Sequence, residues 1–279
     1  MGGQALVLGG GGVAGIAWTT GLLTGLADHG QDLTGADLLV GTSAGAAVAA
    51  QVTSGRSLEE LFARQADPAL QAPEIPADVD LEKFAAEFGG ALAGAASPAE
   101  VRRAVGKLAL AAETVSEADR RAVIEARLPV HEWPEQRLVI VAVDAETGEP
   151  RRFDRESGVS LVDAVAASCA VPGIWPAVTI GGRRYVDGGV RSADNADYAA
   201  GATRITVVSP LGDSAPLPAE KPLSEVLADL RAAGAEVALV TPDEASLAAI
   251  GQNPLDPSTR TPAAEAGRAQ GAALTLNWS

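Results

Sequence analysis

The segment Gly41–Gly45 has the sequence GTSAG and matches the G-x-S-x-G pattern of a nucleophile elbow. In such an elbow the serine lies on a tight turn between a strand and a helix, and small neighbours leave room for the turn. The context fits, because residues 37–40 predict a strand and residues 44–52 predict a helix. The pattern predicts a nucleophile at Ser43, although with 31 glycines in 279 residues it is weak evidence alone.

A second glycine-rich segment, Gly9–Gly15 (GGGGVAG), follows the apolar residues 5–8. Its successive backbone N–H groups are suited to receive a negatively charged oxygen. Together with the elbow, this segment predicts a serine acyl hydrolase. The same segment also satisfies the G-x-G-x-x-G pattern of dinucleotide-binding proteins. That alternative requires an acidic residue at the end of the next strand, whereas the next predicted strand leads directly into Ser43.

A hydrolytic serine also needs a base. The chain has two histidines, His29 and His131, and neither follows an acidic residue in the Ser, Asp, His order of α/β-hydrolases. His29 precedes a glycine at a predicted helix end and His131 lies in a turn-like stretch, so we expect both to be structural. Asp187, at the end of a short predicted strand, is the better candidate. Alone, its DGG segment is more typical of a hairpin turn, and only the accompanying motifs favour catalysis.

Four segments follow one another along the chain: the glycine run of residues 10–15, the GTSAG elbow, the stretch ASCAVPGIWP at residues 167–176, and DGG at Asp187–Gly189. This order resembles the patatin-like phospholipase family, over about residues 5–195. The resemblance implies a Ser-Asp dyad without a histidine, an oxyanion hole made by the glycine run, and hydrolysis of lipid acyl esters.

Applied position by position, the resemblance makes Ser43 the nucleophile and Asp187 the general base. The backbone donors of the oxyanion hole are then Gly10, Gly11 and Gly12. A carboxylate with an ordinary pKa is a weak base towards a serine hydroxyl. We therefore expect an apolar, partly dehydrated cleft to raise the pKa of Asp187.

One position departs from the family pattern. Members usually carry Arg or Lys just before the last glycine of the first motif, and this chain has Ala14 there. The change removes a cation from beside the predicted hole, although the donors themselves are main-chain groups. It is the main support for an alternative function, a non-catalytic lipid-binding or scaffold protein that retains the fold. We also expect Trp175, in the rigid loop before Asp187, to bind substrate by lining the acyl pocket.

Strand and helix signals alternate along much of the chain, which predicts an α/β fold: a mostly parallel central sheet with helices on both faces, in a three-layer α/β/α patatin-like arrangement. We expect a single domain over residues 1–279, with a helical insertion or lid over about residues 57–127 and a helical tail over about residues 253–279. Three serines signal helix starts in the insertion: Ser57, Ser97 and Ser116.

Three apolar side chains of the insertion, Phe84, Phe88 and Leu92, recur at helical spacing. A stripe that faces the core is the more common explanation for such spacing. The alternative is that these side chains line the path of an acyl chain.

Composition limits the partners. A formal net charge of −15 argues against nucleic acid, whose phosphates require a basic surface. We expect a lipid acyl-ester substrate and, at most, a transient membrane contact that is apolar or local. No signal peptide or membrane span is recognisable, so we expect a cytoplasmic protein. No cofactor is implied and no metal is expected, since no histidine, cysteine or carboxylate cluster has ligand spacing. The sequence gives no oligomeric state.

Overall fold

The computed structural model of the protein describes residues 2–77, 86, 88–90, 92–212 and 221–278. Within these residues, eight strands form one mixed sheet. They are β1 (Gln4–Leu8), β2 (Leu38–Thr42), β3 (Arg137–Asp144), β4 (Pro150–Phe153), β5 (Val178–Ile180), β6 (Arg183–Asp187), β7 (Arg204–Val208) and β8 (Glu236–Val240).

The strand order is β5-β6-β3-β2-β1-β7-β8, with β4 paired to β3. The pairs among β3, β2, β1, β7 and β8 are parallel, whereas β4, β5 and β6 join through antiparallel pairs. Strands β3 and β4 are consecutive and antiparallel, and they form a hairpin.

Helices connect and cover the strands. They are α1 (Gly12–Asp28), α2 (Ala44–Val52), α3 (Leu58–Ala66), α4 (Pro98–Ala111), α5 (Glu117–Arg127), α6 (Leu161–Ser168), α7 (Leu223–Ala232), α8 (Glu244–Ile250) and α9 (Arg260–Ala273). The three predicted helix starts are confirmed, because the serine before each of α3, α4 and α5 accepts a hydrogen bond from a backbone N–H in the first turn.

Alternating residues of the sheet pack into different apolar layers. On one face Leu6 and Leu8 of β1 pack with α1, α2, α6 and α9. On the other face Ala5 and Val7 pack with α7, and Val143 of β3 packs with α4. Successive side chains of a strand point to opposite faces, so a sheet buried on both sides needs apolar residues at nearly every position. The predicted three-layer α/β/α fold is confirmed.

The contact between α1 and α9 is unusually close. A Cβ atom at Gly21 of α1 would strike the carbonyl oxygen of Ala264, and one at Gly267 of α9 would strike that of Trp18. Glycine at these positions therefore permits the two backbones to approach each other. Helix α9 thus helps to hold α1, whose first residues belong to the glycine run.

The apolar stripe of the insertion is only partly described, because Phe84 lies outside the described residues. Phe88 is buried in the layer formed by α4 and β3, and Leu92 packs against that layer. Phe88 and Leu92 therefore face the core, which favours the first of the two interpretations. Within the described ranges, none of the helices has the length and apolarity needed to cross a membrane.

Candidate active site

Ser43 lies on a strained turn between β2 and α2. Its φ of 53° falls in the left-handed region, which non-glycine residues rarely adopt. The turn brings α2 so close to β1 that a Cβ atom at Gly45 would strike the carbonyl oxygen of Leu8, and one at Gly41 would lie 2.6 Å from the Cα of Ala46. The small residues of the GTSAG motif are therefore required by the geometry, and the predicted strand-turn-helix context of Ser43 is confirmed.

Sheet register brings Asp187 to this turn. Thr42, the last residue of β2, is opposite Val141 of β3, and the next residue, Ala142, is opposite Asp187 at the end of β6. The Ser43 hydroxyl donates a hydrogen bond of 2.7 Å to Oδ2 of Asp187. The two residues are 144 positions apart in the sequence.

The Asp187 carboxylate is buried, with 4% of its surface exposed. Its second oxygen, Oδ1, accepts a 2.7 Å hydrogen bond from the backbone N–H of Gly189. Burial raises the pKa of Asp187 to about 6, although the hydrogen bonds from Ser43 and Gly189 oppose this. The direction agrees with the expectation from the sequence. A carboxyl group with this pKa is unprotonated at neutral pH and is a stronger base than an ordinary aspartate.

Two residues at the end of α6 hold the turn through hydrogen bonds to the backbone of Ser43. The Ser168 hydroxyl accepts from the N–H of Ser43 at 2.9 Å and donates to the carbonyl of Val141 at 2.6 Å. The Cys169 thiol donates to the carbonyl of Ser43 at 3.2 Å. Burial raises the pKa of Cys169 to about 12, so this residue is a packed thiol and not a nucleophile.

Asn195 is a site residue that the sequence analysis missed. Its fully buried amide donates to Thr42 Oγ1 at 3.0 Å and to the carbonyls of Gly188 at 3.3 Å and Ser192 at 2.7 Å. It thereby ties the DGG loop to the residue before Ser43. The available signal was its place in a polar loop after DGG, since asparagine tolerates the left-handed conformation (φ 50°) found here.

The glycine run lies beside Ser43 but does not present all of the predicted donors. Gly10 was predicted to supply an oxyanion donor, but in this conformation its N–H donates to the carbonyl of Ala193 at 2.8 Å and is not free for a ligand. The N–H groups of Gly11 and Gly12 have no acceptor among the described residues. The same holds, in that part of the chain, for Ala44, the residue after Ser43. These three N–H groups remain available to a ligand.

A small cavity adjoins Ser43. Its volume is about 20 Å³, and one water molecule needs at least about 10–15 Å³. An ester with an acyl chain therefore requires the site to open. The cavity is lined by Gly12, Val13, Ile16, Ser43, Ala44, Arg120, Arg127, Cys169, Val171, Trp175 and Leu255. Trp175 therefore lines the cavity beside Ser43, and the Arg120 guanidinium covers its ring at 3.8 Å from the centroid.

A comparison with protein-family models matched residues 6–200 to the family described as patatin-like phospholipase. The chain belongs to this family. Among solved structures, it is similar to VipD from Legionella pneumophila, with 14% identity and a TM-score of 0.45 over 97% of this chain and 66% of that one. It is also similar to the type III effector protein ExoU, with 14% identity and a TM-score of 0.37 over 100% of this chain and 54% of that one. The chain thus spans less than two thirds of either. No curated protein matched.

The patatin-like region does not complete the site alone. Leu255, which lines the cavity at Ser43, lies beyond the family match at residue 200. The neighbouring Pro254 accepts a 3.0 Å hydrogen bond from the N–H of Ala14 in the first turn of α1. Ala14 itself is fully buried and brings no charge. The cations beside Ser43 are instead Arg120 and Arg127, from α5.

The two histidines make their contacts at helix ends and not with Ser43 or Asp187. His29 contacts the carbonyl of Gly25 at 3.1 Å through Nδ1, at the end of α1. His131 contacts the carbonyl of Glu125 at 3.1 Å through Nε2 and is exposed. Over the described ranges, there is no group of three or more His, Cys, Asp or Glu side chains that could hold a metal ion.

Proposed function

We propose that the protein is a serine acyl hydrolase that cleaves carboxylic esters of lipids, such as phospholipids or lysophospholipids, through a Ser43–Asp187 dyad. The observation that carries the proposal is a 2.7 Å hydrogen bond from the hydroxyl of Ser43, which lies on a strained turn, to the buried carboxylate of Asp187. Membership of the patatin-like phospholipase family supports the lipid ester as substrate.

The first half-reaction transfers the acyl group to the enzyme. Ser43 Oγ attacks the ester carbonyl carbon while its proton passes to Asp187, whose raised pKa makes this transfer less unfavourable. The negative charge that develops on the carbonyl oxygen is stabilised by the free N–H groups of Gly11, Gly12 and Ala44. Each such donor contributes about 3 kcal/mol to lowering the barrier. Asp187 then returns the proton to the departing alcohol as the ester C–O bond breaks.

The second half-reaction releases the acyl group. A water molecule gives a proton to Asp187 and attacks the acyl carbon, and the same N–H groups stabilise the second oxyanion. The bond to Ser43 Oγ breaks, and Asp187 returns the proton to that oxygen. The products are a carboxylic acid and the regenerated dyad. Asn195 and Ser168 act as positioning residues, because they fix the loop of Asp187 and the backbone of Ser43.

Labelling with a fluorophosphonate probe tests the nucleophile. We expect the wild-type protein to be labelled at Ser43 and Ser43→Ala to remain unlabelled, because the probe reacts only with an activated hydroxyl. Ser209→Ala is the matched control, since Ser209 is also a buried serine but is not part of the proposed dyad, and its replacement should leave labelling intact. A wild-type protein that binds lipid but neither reacts nor turns over esters would instead be the non-catalytic lipid-binding protein.

A further inference from the structure

Three buried arginines surround one carboxylate next to the candidate active site. Arg120 and Arg127 project from α5, Arg260 begins α9, and Glu74 lies in residues 71–77, which form neither helix nor strand. The side chains of all four are only 4–6% exposed. We call these four residues the arginine cluster.

Glu74 is held by both of its oxygens. Oε1 accepts from Arg120 Nη1 at 2.6 Å, and Oε2 accepts from Arg127 Nη2 and lies 3.6 Å from Arg260 Nη2. Burial alone would raise the pKa of Glu74, but the charges of Arg127 and Arg120 lower it below its usual value. The carboxylate is therefore ionised, and its two oxygens occupy the positions that two oxygens of a phosphate group would take.

The charges of the arginine cluster do not balance. Three guanidinium groups face one carboxylate, and the Nε atom of each arginine lacks a hydrogen-bond partner in the described part of the chain. Burial, and then the charge of Arg127, lower the pKa of both Arg120 and Arg260. Arg260 is anchored through Nη1 to the carbonyl of Ala72 at 2.8 Å. Buried charges are normally paired, so an excess of two positive charges with free donors favours the binding of a further or stronger anion.

The arginine cluster adjoins the dyad. Arg120 and Arg127 line the same cavity as Ser43. Arg127 and Arg260 line a second small cavity, which shares Ile16 with the first. The Arg120 guanidinium is also stacked on Trp175, an arrangement that keeps its planar face packed and its edge donors directed elsewhere. When the ester carbonyl of a lipid lies at Ser43, the polar group that follows this ester therefore lies close to the positive charges of the arginine cluster.

We propose that Arg120, Arg127 and Arg260 form an oxoanion subsite, which the Glu74 carboxylate fills in this conformation and the phosphodiester of a lipid substrate takes during turnover. Glu74 then acts as an internal competitor for the subsite. The exchange replaces one bidentate anion by another, so the buried guanidinium groups are never left without a counter-charge. The assignment of the phosphate to a substrate rests on the proposed function, whereas the oxoanion subsite itself does not.

Thermal unfolding in inorganic phosphate tests the subsite without requiring activity. Glu74→Gln removes the internal anion, so we expect phosphate to raise the Tm of this variant clearly more than that of wild type, relative to chloride at equal ionic strength. Glu236→Gln is the matched control, because it removes a carboxylate from an exposed pair with Arg204 and should leave the phosphate response unchanged. If Glu74→Gln folds only in phosphate, that result also supports the subsite. Glu74→Asp, which keeps the charge but shortens the reach, should give an intermediate shift.

Two esters that differ only in the headgroup test the source of the phosphate. The two substrates are lysophosphatidylcholine and a monoacylglycerol with the same acyl chain. In Arg127→Gln we expect kcat/KM to fall about tenfold more for lysophosphatidylcholine than for the monoacylglycerol, because only the first loses a charge-assisted hydrogen bond to its phosphate. Equal losses on both esters would overturn the headgroup assignment, even if free phosphate binds. An unchanged Tm of Glu74→Gln in phosphate would overturn the subsite. Phosphate binding without turnover of either ester would leave the subsite intact and contradict the proposed function.

Discussion

Asp187 and Glu74 are two buried carboxylates whose partners line the same small cavity, and their surroundings move their pKa values in opposite directions. Each is 4% exposed. The partners of Asp187 are a hydroxyl and a backbone N–H, so burial prevails and its pKa rises to about 6. Glu74 contacts Arg120 and Arg127, and its pKa falls below the usual value.

The difference shows that burial alone does not decide what a carboxylate can do. Neutral donors stabilise the ionised form only partly, which leaves a group that can accept and return a proton near neutral pH. Cationic donors stabilise it strongly, which leaves a permanent anion suited to binding and structure. Asp187 thus fits a general base and Glu74 a counter-ion, within one site.

The largest expected effect separates Asp187 from another buried aspartate. Asp187→Asn should lower kcat about 10²–10⁴-fold, because the shape is kept while the base is lost. Asp194→Asn should leave kcat close to wild type, since Asp194 is also buried with its pKa raised to about 6 but makes no hydrogen bond to Ser43. Steady-state kinetics on a soluble ester would measure both.

In the wild type, kcat/KM should rise with pH through about 6, since only the ionised carboxylate of Asp187 accepts the serine proton. Full turnover by Asp187→Asn would contradict the role of Asp187 as the base. An equal loss of kcat in Asp194→Asn would show that the loss is not specific to Asp187.

The next effect concerns the stability of the arginine cluster. Glu74→Gln should lower the free energy of unfolding at pH 7 by about 3–5 kcal/mol, because three buried guanidinium groups lose their only ionised partner within the described residues. Glu236→Gln, at the exposed pair with Arg204, should change it by about 0–1 kcal/mol. Urea unfolding would measure both variants.

The pH dependence of the Glu74 effect has a definite sign. The folded pKa of Glu74 lies below the unfolded value, so its contribution to stability is present above about 4.5 and is lost as pH falls through the folded pKa. The difference between wild type and Glu74→Gln should therefore shrink in acid. A difference that grows in acid would show that Glu74 is not ionised.

The smallest expected effect is a gain in stability when Asp187 is replaced by Asn. Its folded pKa of about 6 lies above the unfolded value of 3.8, so the folded state binds more protons between these values and wild-type stability falls as pH rises through them. Asp187→Asn removes this dependence and should gain at most about 3 kcal/mol at pH 7. Unfolding at pH 4 and pH 7 would measure it: the gain should be confined to the higher pH, and a loss at pH 7 would contradict a buried, destabilising carboxylate.

The sequence predicted the parts of the site that depend on local backbone geometry. The turn at Ser43 requires small residues at Gly41 and Gly45, and this requirement produces a recognisable sequence motif. Alternating apolar segments likewise predicted the layered sheet. The pairing of Ser43 with Asp187 was predicted from the accompanying motifs and the resemblance that they carry, because no local pattern relates residues 144 positions apart.

Other features depended on contacts that no motif encodes. The N–H of Gly10 donates to the carbonyl of Ala193. Ala193 lies in the loop after β6 and reaches the glycine run through the tertiary fold. No motif in the sequence marked the arginines of the cluster. They are nevertheless buried beside Glu74, which precedes Arg120 by 46 residues and Arg127 by 53 residues.

The sequence by itself therefore determined the strained turn, the glycine run and the three-layer sheet, since each is fixed by what neighbouring residues permit the backbone to do. Only the tertiary structure decided which N–H groups stay free, which buried carboxylate can act as a base, and where the positive charge lies. The physical reason is that hydrogen-bond occupancy, burial and Coulomb interactions are set by groups from distant segments, including Arg260 of the C-terminal helix.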